Sequence, residues 1–318
     1  MDDVANESMT FEKFEGKSVL VVGASGFFGR HVIERLGAVG AEVTAFSRSV
    51  PKRMPPNVVI RQGDASDPSQ VAAAFAAAAP DVVYHLTSDS MGGREAELIP
   101  TSMRNDVLAT LNVLLEAKHR GTARVVMTGS MEEPSGEAAE AVPSSPYAAA
   151  KWVTAGYARM LASLHDLPVV VLRLMMTYGP GQKAYKVVPA TMLSLLENRP
   201  IKLGSGSRLV DWVYIDAVTD AFMRAAVAPY PGAASIDIGS GQLVSVRECL
   251  ETIGDLTGRP HLLNFGALPD RPMEMVRAAD GERAARLLDW RPSTTLRDGL
   301  ARTQESRAGV VPCSRRNT

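Results

Sequence analysis

The chain has 318 residues, 46% of them hydrophobic and 22% charged, with 34 Lys and Arg against 35 Asp and Glu for a formal net charge of -1. That length buries a large core, and the composition is that of an ordinary globular enzyme. There is no basic excess to neutralise phosphates and no apolar run approaching a membrane span, so neither a nucleic-acid partner nor a membrane anchor is expected.

Residues 1–16 read as a flexible tail, and the acidic, polar opening Met1-Asp2-Asp3-Val4-Ala5-Asn6-Glu7 does not read as a signal peptide. Lys17–Val22 is a short apolar strand that runs into Gly23-Ala24-Ser25-Gly26-Phe27-Phe28-Gly29. A helical pattern follows from Phe28 to about Val39, with Gly40 as its stop signal. Glu42–Ser47 and Val58–Arg61 read as strands, Pro68–Ala79 as an alanine-rich helix and Asp81–Leu86 as a strand. A helix over Met103–His119 precedes the strand Ala123–Gly129. Ser145 suits an N-cap and Pro146 the first helical position, which starts a helix over Pro146–His165. The strand Pro168–Met175 comes next. Strands alternating with helices imply βαβ units and a doubly wound parallel sheet of the α/β class. After Gly179-Pro180-Gly181 the alternation loosens. Lys186–Asn198 reads as a helix, Ile201–Gly206 as a strand and turn, and Trp212–Tyr214 as a short strand. Helix Asp216–Ala228, strand Ser235–Ile238 and helix Val244–Thr257 follow, and Ser314–Thr318 reads as a frayed end.

Cys249 and Cys313 stand far apart without metal or redox spacing. The histidines His31, His85, His119, His165 and His261 are scattered and read as structural. No metal site is expected, and a reducing, cytoplasmic setting is.

Gly23, Gly26 and Gly29 lie between a strand and a helix. Glycines permit the tight turn and let a pyrophosphate approach the backbone, while the helix N-terminus offers free N–H groups. Tyr147 and Lys151 are four residues apart, about one helical turn, and share a face. An ammonium beside a phenol favours phenolate, which makes Tyr147 usable as an acid or base. Ser130 lies at a strand end just upstream. In this order the three elements resemble the extended short-chain dehydrogenase/reductase family, of the NAD-dependent epimerase/dehydratase type, over about Lys17 to Arg302.

The resemblance implies a doubly wound (Rossmann) sheet over residues 17–180, mainly a dinucleotide-binding domain. A smaller, interleaved substrate-binding part over 181–310 returns to the sheet, with a tail at 311–318. Ala279–Trp290 and Leu296–Gly299 then match the family's closing helices. Gly23, Ser25, Gly26, Phe27, Phe28 and Gly29 would form the cofactor turn. The end of the second strand holds Ser47 and Arg48 in place of the acid usual for NAD, so either these two grip a 2′-phosphate or Arg48 is a solvated charge. NADP(H) is favoured, with NAD(H) the alternative. Asp64 and Ala65 match the adenine-contacting segment, although Asp64 can equally be a turn residue. Leu86 and Thr87 match the strand beneath the cofactor. Asn105 matches a helix asparagine that braces the active-site strand, or is a buried polar brace without a catalytic role.

By the same resemblance Ser130 would hydrogen-bond the reacting oxygen, Tyr147 would pass it a proton, and Lys151 would hold the nicotinamide ribose and bias the tyrosine. Dehydrating relatives carry Asp-Glu after the catalytic residue; here Met131 takes the Asp position, which argues against dehydration. Glu132 is a candidate substrate contact, or Glu132 and Glu133 are exposed loop charges. Met176 replaces a substrate-binding asparagine and Val210 a diphosphate-clamping arginine, for which Arg208 can substitute; Arg271 is a further phosphate candidate. The run Gly129-Ser130-Met131-Glu132-Glu133 resembles family members that reduce 4-keto-6-deoxy sugar nucleotides. With Ser47 and Arg48 it implies an NADPH-dependent reductase of a 4-keto-6-deoxyhexose on a nucleotide, whereas Met176 and Val210 favour a non-sugar ketone. The alternatives are a nucleotide-sugar 4-epimerase with retained NAD, a reductase of a non-sugar ketone, or a non-catalytic dinucleotide sensor. Relatives often dimerise through the Asn105 and Tyr147 helices, so a homodimer acting on a small molecule is expected.

Overall fold

The computed structural model describes residues 12–50, 54–88, 92–134, 141–230, 232 and 235–308. The expected frayed segments at 311–318 lie outside that set. The chain forms two compact units. One comprises residues up to Leu174 with Thr219–Ile238 and Asp280–Trp290; the other comprises Met175–Val218, Gly239–Ala279 and the chain from Arg291.

In the first unit the strands are β1 (Ser18–Val22), β2 (Glu42–Ser47), β3 (Val58–Gln62), β4 (Val82–His85), β5 (Arg124–Ser130) and β6 (Val169–Leu174). A later strand (Ser235–Ile238) joins them, giving a seven-stranded sheet in which all the pairings are parallel. Strand order reverses between β1 and β4, and the carboxyl ends there make the crevice typical of doubly wound sheets.

Helices α1 (Phe27–Ala38), α2 (Pro68–Ala78), α3 (Ile99–Ser102), α4 (Ala109–Arg120) and α5 (Pro146–His165) connect these strands. Strand residues alternate between the two sheet faces. Leu20, Val22, Val83, Val125, Met127, Val169 and Val171 form one core with apolar residues of α2, α4 and α5. On the opposite face Tyr84 meets Phe222 edge-on, and Phe222 meets Phe28. Each such fully buried aliphatic side chain contributes about 1.5–3 kcal/mol.

Local chemistry sets the helix ends. Asp67 caps α2 through Ser69 N and Gln70 N, with Pro68 at the first position, and Ser145 Oγ accepts Ala148 N–H at 3.1 Å to cap α5. Three readings change. The expected tail is partly ordered: Glu12–Phe14 is a 3-10 turn whose Phe14 is fully buried. The helix expected from Met103 begins at Ile99 and passes through a π-helical stretch, Met103–Leu108, before α4. The closing helix expected over Ala279–Trp290 spans Gly281–Leu288.

In the second unit, β7 (Met176–Tyr178), β9 (Leu209–Tyr214) and β11 (Leu243–Ser245) make a three-stranded sheet, and β8 (Ile201–Lys202) pairs with β12 (Leu263–Asn264). The intervening strand of the first unit, Ser235–Ile238, is β10. The helices are α6 (Val187–Leu196), α7 (Ile215–Val227, within the first unit from Thr219), α8 (Val246–Thr257), α9 (Gly281–Leu288, in the first unit) and α10 (Leu296–Ala308). The buried carboxylate of Asp211 organises the β9 region, accepting Ser240 N–H, Ser240 Oγ, Gly241 N–H and Ala279 N–H at 2.6–2.9 Å.

Candidate active site

The glycine turn is packed backbone against backbone. Gly23 has φ +90°, and a Cβ there would stand 2.7 Å from Thr87 N and 2.8 Å from the Leu86 carbonyl carbon. A Cβ on Gly29 would overlap Gly23 O and lie 2.8 Å from Ala24 Cα. Gly26 is the N-cap of α1 and has no side chain to cap the helix's first N–H groups. The turn therefore fits a pyrophosphate. Asn105 adds a second sign of an absent group: its Oδ1 is buried and accepts no hydrogen bond among the described residues.

Beside the turn, Ser49 Oγ donates to Ser25 Oγ at 3.0 Å. The Ser47 hydroxyl, expected to meet a 2′-phosphate, donates instead to Ser49 O at 2.8 Å. That spends its proton, and only its lone pairs remain, which do not attract phosphate. Arg48 is exposed, and its carbonyl receives Gln62 Nε2. Asp64 accepts Ser66 N–H at 2.9 Å. That bond, helped by the Arg48 charge, holds its carboxyl below the usual range. Ala65 is buried and its carbonyl receives Asn112 Nδ2. Leu86 continues β4 through a bond to Val22 O, and Thr87 Oγ1 meets His85 Nδ1 at 3.2 Å. His85 Nε2 meets Thr110 Oγ1 at 2.9 Å. Burial, aided by the Lys151 charge, pulls this imidazole down to about 3, so it is neutral at physiological pH, as befits a structural histidine.

At the candidate reaction centre, β5 delivers Ser130 and the first turns of α5 deliver Tyr147 and Lys151. The Ser130 and Ser88 side chains act on the Tyr147 phenol as hydrogen-bond partners that favour its ionised form. Lys151 is buried and donates to Thr128 O at 3.1 Å and Thr128 Oγ1 at 2.9 Å. Its Nζ lies 6.0 Å from the Tyr147 ring centre. The expected depression of the phenol by the ammonium is not what this arrangement gives. Burial raises Tyr147 well above 10.0; the Ser130 and Ser88 hydrogen bonds pull the other way, while the Asp106 and Glu133 charges push it further up. Burial also lowers Lys151, against the same two carboxylates.

Several contributors carry no sequence signal of their own. Asp106, in the π-helical stretch, is buried and receives Ser102 Oγ at 2.9 Å; Ser102 also reaches Pro146 O at the start of α5. Glu132 and Glu133 are not exposed charges. Glu132 Oε2 accepts Ser144 Oγ at 3.0 Å, and Glu133 is 1% exposed. Met131, at the position of the missing acid, is also buried.

The remaining candidates belong to the second unit. Met176 opens β7 opposite Trp212, and Val210 is fully buried. Arg208 donates to Met275 O through Nε and Nη2 and pairs with Glu274 at 3.1 Å, so the guanidinium expected to replace the clamp is engaged within the chain. Arg271 is exposed.

The chain is 30% identical over 307 residues to UDP-glucose 4-epimerase from Mycolicibacterium smegmatis, covering 90% of this chain and 97% of that one. It is 25% identical to dTDP-glucose 4,6-dehydratase from Neisseria meningitidis, covering 90% and 92%. Among solved structures, MoeE5 in complex with UDP-glucose and NAD superposes with a TM-score of 0.82 at 29% identity, covering 92% of this chain and 99% of that one. The model of the NAD dependent epimerase/dehydratase family matches residues 19–239. With its switch-point glycine turn and its Ser130, Tyr147 and Lys151 gathered beside it, the chain belongs to that family, the extended short-chain dehydrogenase/reductases that modify nucleotide sugars.

Proposed function

We propose that this protein is a nucleotide-sugar 4-epimerase that keeps a nicotinamide dinucleotide through turnover. The carrying observation is Ser130 at the end of β5 with Tyr147 and buried Lys151 in the first turns of α5, in the same unit as a glycine turn that fits a pyrophosphate. The 30% identical relative named UDP-glucose 4-epimerase supports the same reading and weighs against a reductase as the main activity. Buried Met131, unable to protonate a leaving hydroxyl, weighs against dehydration.

In this reading Gly23, Ser25, Gly26, Phe27, Phe28 and Gly29 hold the pyrophosphate. Asp64, Ala65, Leu86, Thr87 and Asn105 line the rest of the dinucleotide, and Lys151 holds the nicotinamide ribose. The dinucleotide supplies hydride transfer at the sugar carbon. Ser130 steadies the reacting oxygen. Tyr147 takes the hydroxyl proton as hydride leaves and returns it as hydride comes back. Glu132 is the candidate substrate contact in this unit; Met176 and Arg271 are candidates in the second unit, where Arg208 would first have to leave Glu274 and Met275.

A specific observation favours a second reading. The end of β2 carries exposed Arg48 and no acid, which suits NADP(H) and a reductase of a 4-keto sugar nucleotide. The assay that separates them supplies UDP-glucose without added cofactor. An epimerase produces the 4-inverted sugar with no net change in reduced cofactor, and mass analysis finds retained NAD. Stoichiometric NADPH oxidation with a 4-keto sugar, and no inversion, overturns it. Tyr147→Phe should lower turnover by about 10²–10⁴-fold while the protein still binds cofactor; near-parent turnover sinks the proton-transfer scheme.

The same reading includes a cytoplasmic homodimer. Among the described residues no helix is long and apolar enough to cross a membrane. On α5, Val153, Tyr157, Met160 and Leu164 are exposed at helical spacing, and Met103 and Leu115 are exposed on the preceding helix. Sedimentation of the parent against Tyr157→Glu checks the dimer, and fractionation of tagged protein checks the compartment.

A further inference from the structure

The turn after Ser130 is built around a carboxylate that the proton-transfer scheme does not use. Glu133 Oε1 accepts the Ser130 N–H at 2.7 Å, and the Glu133 N–H returns to Ser130 O at 3.1 Å. The other oxygen lies 3.5 Å from Arg173 Nε, and Arg173 Nη1 reaches Asp237 Oδ1 at 2.8 Å. Arg173 is paired in register with Gly129 on one side and Asp237 on the other, so these charges run across the carboxyl ends of β5, β6 and β10. Gly129 admits the carboxylate, since a Cβ there would stand 2.6 Å from Glu133 Oε1. A buried carboxylate costs several kcal/mol unless it is paired and hydrogen-bonded; here Arg173 and the Ser130 peptide answer that cost.

This arrangement constrains the serine. Its N–H is held by Glu133, and its Oγ accepts the Glu132 N–H at 3.1 Å. The hydroxyl hydrogen is thereby left to donate, and Ser130 acts on the Tyr147 phenol as a hydrogen-bond partner that favours its ionised form. We infer that Glu133 is a positioning residue: acting through the Ser130 peptide, it aims the Ser130 hydroxyl at Tyr147, with Arg173 and Asp237 holding the carboxylate in place. The inference rests on the Ser130–Tyr147 chemistry proposed above.

The test uses two substitutions that separate reach from charge, with UDP-glucose as probe. Glu133→Asp keeps the charge but withdraws the oxygen from Ser130 by one methylene. It should lower kcat by about 10–100-fold with KM within about threefold, the scale of a small misplacement at a reacting group. Glu133→Gln keeps the length and one acceptor oxygen and should lose less than about fivefold. In a Ser130→Ala background Glu133→Asp should cost nothing further, because the two residues act as one unit. Hydrogen exchange at the Ser130 peptide should be faster in Glu133→Asp than in Glu133→Gln. If Glu133→Asp does not fold, Glu133→Ala takes its place in the same ordering. The inference is overturned if Gln is as damaging as Asp, if the losses multiply in the Ser130→Ala background, or if the exchange rates do not differ. If the parent turns over no sugar nucleotide, the functional reading has failed, and the exchange order alone decides whether Glu133 holds Ser130.

Discussion

Gly29→Ala tests the glycine turn where two physical effects oppose each other. Gly29 is the third residue of α1, and alanine in a helix is favoured over glycine by about 1 kcal/mol. Against that, the new Cβ would overlap Gly23 O and lie 2.8 Å and 2.9 Å from Ala24 Cα and its carbonyl carbon. All three are backbone atoms and none can rotate away. Overpacking of this kind costs about 1–3 kcal/mol, and an unyielding neighbour puts it at the upper end. The net expectation is a loss of about 1–2 kcal/mol, with the turn displaced from the pyrophosphate position. Gly156→Ala on α5 is the matched control. Its Cβ meets only Arg159 Nη2 at 3.9 Å, so propensity acts alone and the variant should gain about 0.5–1 kcal/mol. Urea unfolding of both variants, with calorimetric titration of NAD, measures the two effects together. Gly29→Ala should unfold at lower urea and, separately, bind NAD about tenfold more weakly if displacing the turn removes about 1.4 kcal/mol of pyrophosphate contact. If Gly29→Ala is as stable as Gly156→Ala and binds NAD like the parent, the packing argument for the turn is wrong.

Arg48→Ala bears on cofactor choice. If the guanidinium meets a 2′-phosphate, the variant should lose about 1.5–3 kcal/mol of NADPH affinity and little of NADH affinity. Equal losses, or a parent that prefers NADH, would remove the case for NADP and leave the epimerase reading stronger. His85 should make stability depend on pH. Its value in the folded protein, about 3, lies below the ordinary 6.5, so folding favours the neutral ring. The contribution is fully present above about pH 6.5 and is lost as pH falls towards 3, with a slope of up to about 1.4 kcal/mol per pH unit. Urea unfolding at stepped pH should show that slope in the parent and its loss in His85→Gln; identical slopes would refute it.

Much of the architecture was legible because it is written in local signals. Ser145 and Pro146 start α5 where capping chemistry requires, and Glu42–Ser47 and Ser235–Ile238 end where their apolar runs end. The short strands β7, β11 and β12 have too few residues to show a period, and partners remote in the chain define them, whereas β8 falls within the strand and turn read over Ile201–Gly206. The π-helical stretch looks like ordinary helix in sequence, yet it carries Asp106, the buried carboxylate that acts on both Tyr147 and Lys151. Arg208 reads as a free clamp until Glu274 and Met275 are found beside it, across 66 and 67 residues of chain.

The sequence by itself determined the doubly wound class, the glycine turn and the Ser130, Tyr147 and Lys151 set, because each depends on residue type at short spacing. Tertiary structure alone decided the charges around that set. Whether a Glu is a solvated loop charge or a buried support depends on what other strands bring to it. Arg173 and Asp237 make Glu133 the latter, with Gly129 leaving the space. The direction of the Tyr147 shift was decided the same way. Lys151 lies one helical turn away, but burial among Asp106 and Glu133 outweighs it, because removing water penalises a phenolate more than a distant ammonium stabilises it.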